Sequence, residues 1–273
     1  MGRSPLVLFA TLALCALLTA RLVYRYDLYE HEPIPLLGVA FGLGAGAMWL
    51  AGGVESWILF RAQGLGVLEI AAVAAVTEEA LKVLVVVVVA LLAHREFDDP
   101  MDGVVYGSMA GLGAALEESL FYAASSPAGG VWVPAGELVR LWAHVVLGGI
   151  AGFSLGFWRA RPRRAALATG VLLAVAIALH FAWDAIVLSV PGGLPPTLAQ
   201  SLAGVGLMIG SLTLYGRLVT LASAKSKRQF APHSRQGLWG WPFDRMVRWW
   251  RERAGRPTSS ATETPTADRE ESP

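Results

Sequence analysis

The sequence predicts an all-α, polytopic membrane protein built as a bundle of about seven transmembrane helices. Three observations predict this class. Hydrophobic residues make up 55% of the 273 residues and charged residues only 16%, against roughly 25% charged residues in a typical soluble domain. The mean hydropathy is +0.51. Apolar stretches recur along the chain at roughly 20 residues, the length that a helix needs to cross the hydrocarbon layer.

The predicted helices follow one another with short connections. The first is interpreted as a retained helix rather than a signal peptide, because Arg21 and Arg25 follow its apolar stretch and only Arg3 precedes it. The third contains the run Val85–Val89, which a membrane helix explains better than a strand with unpaired backbone groups in lipid. The seven predicted spans are residues 4–22, 36–59, 67–93, 103–125, 137–158, 165–190 and 198–221.

The distribution of basic residues predicts the orientation. Four arginines lie between positions 159 and 164, after the fifth span, and three basic residues lie between 225 and 228, after the seventh. The loops at 126–136 and 191–197 contain no Lys or Arg. Since basic residues are enriched in cytoplasmic loops, we expect the N-terminus outside, the C-terminus in the cytoplasm, and a multi-pass protein of a prokaryotic plasma membrane.

The chain divides into three predicted regions: a transmembrane domain at 1–224 with its motif core at 67–190, a cytoplasmic segment at 225–254, and a disordered tail at 255–273. Within the second region, residues 242–253 mix arginines with large apolar side chains. This pattern fits an amphipathic helix on the inner membrane surface and equally a helix packed on cytoplasmic loops. The tail is rich in Ser, Thr, Pro and Glu. A net charge of +1 gives no indication of nucleic-acid binding.

Ionisable side chains inside the predicted spans are the main functional signal, because such groups are costly in lipid and are usually functional. At 1.5 Å of rise per residue, Glu78, Glu118, His144 and His180, on four different spans, reach similar depths, roughly 10–16 Å from the predicted outer face. We expect them to converge there. The candidates are Glu78, Glu79 and Lys82 in the third span, Glu118 in the fourth, His144 in the fifth, and His180 and Asp184 in the sixth.

The spacing of these residues indicates their chemistry. His180 and Asp184 share a helix face, so the aspartate can bind the same metal or orient the imidazole. Lys82 lies on the face of Glu78 and Glu79, and one cation beside two carboxylates leaves one carboxylate free as a base. Two histidines and a glutamate form a common catalytic zinc set with water in the fourth position, and a further glutamate can take the proton from that water.

Structural explanations exist for several of these residues. Glu78 and Lys82 could form only a buried ion pair, and His144 could be a packing residue held by hydrogen bonds. Arg140 could extend to the outer interface or contact a substrate or a carboxylate. Glu55 lies near a helix end and is expected to be solvated. Three glycines form a small-residue ladder that predicts a helix-packing face rather than a phosphate loop: Gly148, Gly152 and Gly156.

Four motifs resemble, in order, those of the PrsW family of intramembrane proteases: TEEALK, DGVVYGSMAGLGAALEES, HVVLGGIAGFSLG and HFAWD. This family is more distantly similar to CAAX-processing and bacteriocin-immunity membrane proteases. Ala and Ser replace an aromatic residue and an asparagine in the second motif. The family's motif residues correspond to Glu78, Glu79 and Lys82, to Ala114, Glu118 and Ser119, to His144 and Gly148, and to His180 and Asp184.

The resemblance implies cleavage of a membrane-anchored regulatory protein, such as an anti-sigma factor, near the outer face. The working hypothesis is that Glu118, His144 and His180 hold a divalent metal, most simply Zn²⁺, and that Asp184 is a fourth ligand or orients His180. Glu78 or Glu79 then activates water, and Lys82 holds the other carboxylate. A glutamate-only protease, a proton-coupled transporter or channel, and an inactive protease-like scaffold remain alternatives.

Overall fold

The computed structural model describes residues 5–26, 31–125, 135–158, 161–190 and 195–230. These residues form α-helices and one short 3₁₀ helix, and no strand is found among them. One α-helix corresponds to each predicted span, so the all-helical class is confirmed. The helices are α1 Pro5–Tyr26, α2 Ile34–Arg61, α3 Val67–Leu92, α4 Pro100–Ser125, α5 Ala135–Gly152, α6 Pro162–Leu188 and α7 Leu198–Phe230, and the 3₁₀ helix Phe153–Phe157 continues α5.

Four of the helices are long and apolar enough to cross a membrane: α2, α5 with its 3₁₀ extension, α6 and α7. The third helix carries three charged side chains near its middle, Glu78, Glu79 and Lys82, which lowers its apolarity. The fold is therefore that of a membrane protein. The full count of seven crossings and the orientation of the termini stay predictions.

The seventh helix continues to Phe230, beyond the predicted end of its span at 221. Hydropathy predicts where the apolar stretch ends, which need not be where the helix ends. Basic residues stabilise the C-terminal turn of a helix, because they lie at the negative end of its dipole. Lys227 and Arg228 occupy this last turn. The predicted boundary at 224 thus falls inside a helix. The predicted amphipathic segment 242–253 and the tail 255–273 lie outside the described residues.

Helix α4 is the centre of the bundle. Residues 101–115 of this helix are buried throughout, and it packs against α1, α2, α3, α5 and α7. A Cβ atom added to Gly107 would overlap the backbone carbonyl of Gly148, and one added to Gly152 would overlap that of Gly103. The predicted packing role of the glycine ladder on α5 is therefore confirmed, since only glycine permits this close approach of α4 and α5.

The start of α4 is fixed by its own side chains. Asp99 precedes the first helical residue, Pro100, and its Oδ1 accepts a hydrogen bond from the N–H of Met101. Asp102 Oδ2 in turn accepts from the N–H of Asp99 at 2.8 Å. This reciprocal cap, with proline at the first helical position, is a strong helix-start arrangement.

The C-terminal parts of α2, α4 and α6 and the N-terminal parts of α3, α5 and α7 meet at one end of the bundle, here called the cavity end. Beyond residue 115, most side chains of α4 become partly exposed. The helices therefore separate towards the cavity end and leave a space between them. By the distribution of basic residues, this is the predicted outer end.

Candidate metal centre and active site

A cavity of about 680 Å³ occupies the cavity end of the bundle. Its wall contains Glu78 from α3, Glu118 from α4, His144 from α5, and His180 and Asp184 from α6. The structure thus brings together polar residues from four helices that the sequence placed at similar depth. Much of the remaining wall is apolar.

Two buried imidazoles and one carboxylate form the centre of this site. The rings of His144 and His180 lie edge to face, 5.5 Å apart. Glu78 Oε2 lies 3.9 Å from His144 Nδ1 and 3.8 Å from His180 Nε2. This oxygen is buried and has no hydrogen-bond partner. An unpaired buried carboxylate oxygen facing two imidazoles is a costly arrangement unless a cation neutralises it.

Glu78, His144 and His180 are also close enough to one another to bind a single metal ion. One ligand atom from each of Glu78, His144 and His180 lies within 4.8 Å of the others. Tetrahedral zinc bonds of 2.0–2.2 Å require ligand atoms about 3.3 Å apart, so small side-chain movements suffice. Imidazole nitrogens and a carboxylate oxygen are suitable zinc ligands. The donor set and the unpaired oxygen therefore fit a divalent metal.

Glu79 lies behind His180, and Lys82 lies between Glu79 and the His144 nitrogen that also faces Glu78. Glu79 is fully buried, and its Oε1 accepts hydrogen bonds from Lys82 Nζ at 2.5 Å and from His180 Nδ1 at 2.7 Å. The contact with Glu79 leaves His180 Nε2 directed towards Glu78, as in metal sites where a carboxylate orients the ligand histidine. Lys82 Nζ also lies 3.1 Å from His144 Nδ1. The ion pair is thus part of the site, and Lys82 holds Glu79 rather than Glu78.

Glu118 is fixed on the other side of His144. Its Oε2 lies 3.1 Å from His144 Nε2, and its Oε1 lies 3.3 Å from Arg140 Nε. Arg140 also donates to Glu137 at 2.6 Å. Of the two explanations that the sequence left for Arg140, contact with carboxylates is the one observed. The arginine neutralises charge beside the cavity.

Asp184 lies on the cavity side of His180. Its Oδ2 is 3.4 Å from His180 Nε2, the nitrogen that also faces Glu78. The opposite nitrogen of this histidine is occupied by Glu79. Glu79 therefore makes the orienting contact that the sequence spacing had suggested for Asp184, and Asp184 faces the ligand side.

The sequence misjudged the surroundings of one carboxylate of the cavity. Glu55 of α2 lines the cavity, and its Oε1 accepts a hydrogen bond from Thr77 Oγ1 at 2.5 Å. Its position near a helix end had suggested a solvated side chain. The informative signal was its place in an otherwise apolar segment, at the same end of the bundle as the other candidates.

A membrane helix bundle whose cavity holds two imidazoles and a carboxylate has the features of an intramembrane metallohydrolase. Residues 32–212 match the family described as PrsW family intramembrane metalloprotease, and the chain belongs to this family. The resemblance found in the motifs is thereby confirmed, and the family assigns protease activity to the chain.

A curated relative agrees with this assignment. Protease PrsW of Bacillus subtilis (strain 168) is 27% identical over 176 residues, which cover 60% of this chain and 74% of the relative. No solved structure gives a significant match. The matched family region contains the complete set of cavity carboxylates and histidines.

Proposed function

We propose that this protein is a zinc-dependent intramembrane protease that cleaves a membrane-anchored protein near the outer face of the plasma membrane. The observation that carries the proposal is the buried, unpartnered Glu78 Oε2, which lies 3.8–3.9 Å from the two imidazoles. A divalent cation would satisfy all three groups. Family membership supports a protein substrate, and the position of the cavity supports cleavage near one membrane face.

The ligand set that the geometry favours is Glu78, His144 and His180. Glu118 Oε2 is also buried without a hydrogen bond, but Glu118 is the weaker candidate because Arg140 lies 3.3 Å from its Oε1 and neutralises the carboxylate. Asp184, 3.4 Å from His180 Nε2, is the nearest further donor. Zinc bound here would supply a Lewis acid towards a peptide carbonyl and would make water more acidic. The proposal exchanges the roles that the working hypothesis from the sequence gave to Glu78 and Glu118.

The remaining polar residues have distinct tasks in this proposal. Glu118 Oε2 faces His144 Nε2 at 3.1 Å and is the carboxylate available to accept a proton from the attacking water. Arg140 keeps that carboxylate in position through its 3.3 Å contact. Glu79 orients His180, and Lys82 neutralises Glu79. General-base catalysis of this kind typically contributes about two to four orders of magnitude in rate.

The substrate proposal follows from the cavity and the family. A volume of about 680 Å³ is within the usual range of ligand sites and accommodates a short extended peptide segment. Its location at the predicted outer end favours a substrate anchored in the same membrane. An anti-sigma-factor-like regulatory protein, as the family resemblance implies, is the proposed class.

Sequencing of protein N-termini in membranes of host cells tests this function. Cells producing wild type or the control His94→Ala, which alters an exposed loop histidine, should show new N-termini near the outer boundary of membrane-anchored proteins. Cells producing His180→Ala should lack them, because the imidazole at the site is gone. Identical N-termini in all three strains would contradict protease activity at this site.

A further inference from the structure

Glu55 differs from the other carboxylates of the cavity in its surroundings. Glu118 lies beside Arg140, and Asp184 lies beside His180. Glu78 lies near both imidazoles. Within the described residues, the hydrogen bond from Thr77 Oγ1 is the one direct contact of the Glu55 carboxylate, and no cationic side chain pairs with it.

The hydroxyl contact fixes the direction of this carboxylate. Thr77 Oγ1 lies 2.5 Å from Glu55 Oε1, closer than the backbone carbonyl of Val73 at 2.8 Å, the other main acceptor for its single proton. Thr77 stands immediately before Glu78 in the chain. The other oxygen, Oε2, has no hydrogen-bond partner among the described residues and is not buried. A molecule in the cavity can therefore reach it. An oriented carboxylate at this depth is costly without a cation, which indicates that its counter-charge comes from a bound molecule.

The charge of the cavity wall favours the same kind of partner. Five acidic side chains and one arginine lie in the wall: Glu55, Glu78, Glu117, Glu118 and Asp184 against Arg140. With Glu78 assigned to the metal, Glu118 beside Arg140 and Asp184 beside His180, Glu55 and Glu117 are the carboxylates of the described wall that no cation neutralises. A wall with an excess of one sign of charge attracts and selects groups of the opposite sign.

We propose that Glu55 is a specificity-determining residue that binds a lysine or arginine side chain of the substrate beside the scissile peptide bond. This inference rests on the proposed protease function. The apolar part of the wall, which includes Trp49, Leu59 and Trp183, suits the methylene stem of such a side chain. Basic side chains of membrane-anchored segments commonly lie at the boundary between lipid and water, which is where this end of the cavity is predicted to lie.

Binding of synthetic transmembrane peptides to the full-length protein in lipid nanodiscs tests the proposal. Three fluorescent peptides share an Ala/Leu span and differ at one outer-boundary position, which is Lys, Gln or Glu. Fluorescence anisotropy gives their dissociation constants, and mass spectrometry records hydrolysis in the same samples. Wild type should bind the Lys peptide about tenfold more tightly than the Gln peptide, the effect of one charge-assisted hydrogen bond.

Two matched variants assign this preference to Glu55. Glu55→Gln keeps an acceptor for Thr77 but removes the charge, so it should lose the preference for Lys. Glu69→Gln makes the same change at an exposed residue outside the cavity wall and should keep it. Equal or absent binding of the three peptides by wild type, or a Lys preference that survives Glu55→Gln, would overturn the inference. A Lys preference in wild type that Glu55→Gln abolishes, together with no hydrolysis of any peptide, supports the inference and contradicts the protease function alone.

Discussion

At the scale of single residues, Lys82 explains how two adjacent glutamates take different roles. Its ammonium contacts Glu79 at 2.5 Å and His144 Nδ1 at 3.1 Å, and the residue is 2% exposed. Neighbouring residues on a helix point about 100° apart. Glu79 therefore packs behind His180 with Lys82, while Glu78 lines the cavity.

Lys82→Met should destabilise the protein by roughly 3–5 kcal/mol, because removal of one partner leaves a buried charge without compensation. The double variant Glu79→Gln/Lys82→Met should recover part of this loss, since neither charge then remains. The measurement is the free energy of unfolding of the purified protein in detergent for wild type, both single variants and the double variant. The ion pair between Lys82 and Glu79 would not contribute to stability if the two substitutions changed the free energy of unfolding additively, or if Lys82→Met were as stable as wild type.

The sequence predicted which residues converge better than it predicted their contacts. Depth along each helix was enough to bring Glu78, Glu118, His144 and His180 to one level. The partner of each atom depends on helix rotation and rotamers, which a single sequence does not contain. Glu55 was missed for a related reason: distance from a helix end does not tell whether a side chain faces lipid, water or a cavity.

At the scale of elements, the contact between α4 and α5 positions His144. A Cβ atom added to Gly111 of α4 would overlap the backbone carbonyl of His144 itself. Close packing of these two helices is therefore linked directly to the geometry of the site. The glycine spacing on α5 was sufficient to predict a packing face, but the partner helix became evident only in the structure.

Gly111→Ala should lower stability by roughly 1–3 kcal/mol through overpacking and should displace His144, reducing hydrolysis more than substrate binding. Gly170→Ala is the matched control, because Gly170 of α6 has open space where its Cβ would lie. It should leave stability unchanged or slightly raised, as alanine favours helix over glycine. Thermal unfolding and peptide hydrolysis measure both effects. Equal behaviour of the two variants would argue against a functional role for the α4–α5 contact.

Helix positions were the most predictable elements, because long apolar runs mark them. Helix ends were less predictable. Asp99 and Asp102 cap α4, so this helix begins before its apolar run at 103. Basic residues continue α7 to Phe230. Caps and helix dipoles act through hydrogen bonds and charge, which hydropathy does not register.

At the scale of the whole molecule, the bundle is closed at one end and open at the other. The buried part of α4, residues 101–115, fills the centre of the closed part, and the cavity lies where the helices separate. Lys225 of α7 lies over the ring of Phe157 at 4.1 Å, at the end away from the cavity. In the predicted orientation, which places the basic residues in the cytoplasm, the cavity would face outward.

The central claim is that Glu78, His144 and His180 hold a zinc ion on which proteolysis depends. The most direct measurement is the zinc content per chain, by mass spectrometry of the metal, in purified wild type, His180→Ala and the control His94→Ala. We expect about one zinc per chain in wild type and His94→Ala and little in His180→Ala, because loss of one ligand disrupts the site. Wild-type protein that cleaves its substrate without bound metal and in the presence of chelators would contradict the claim.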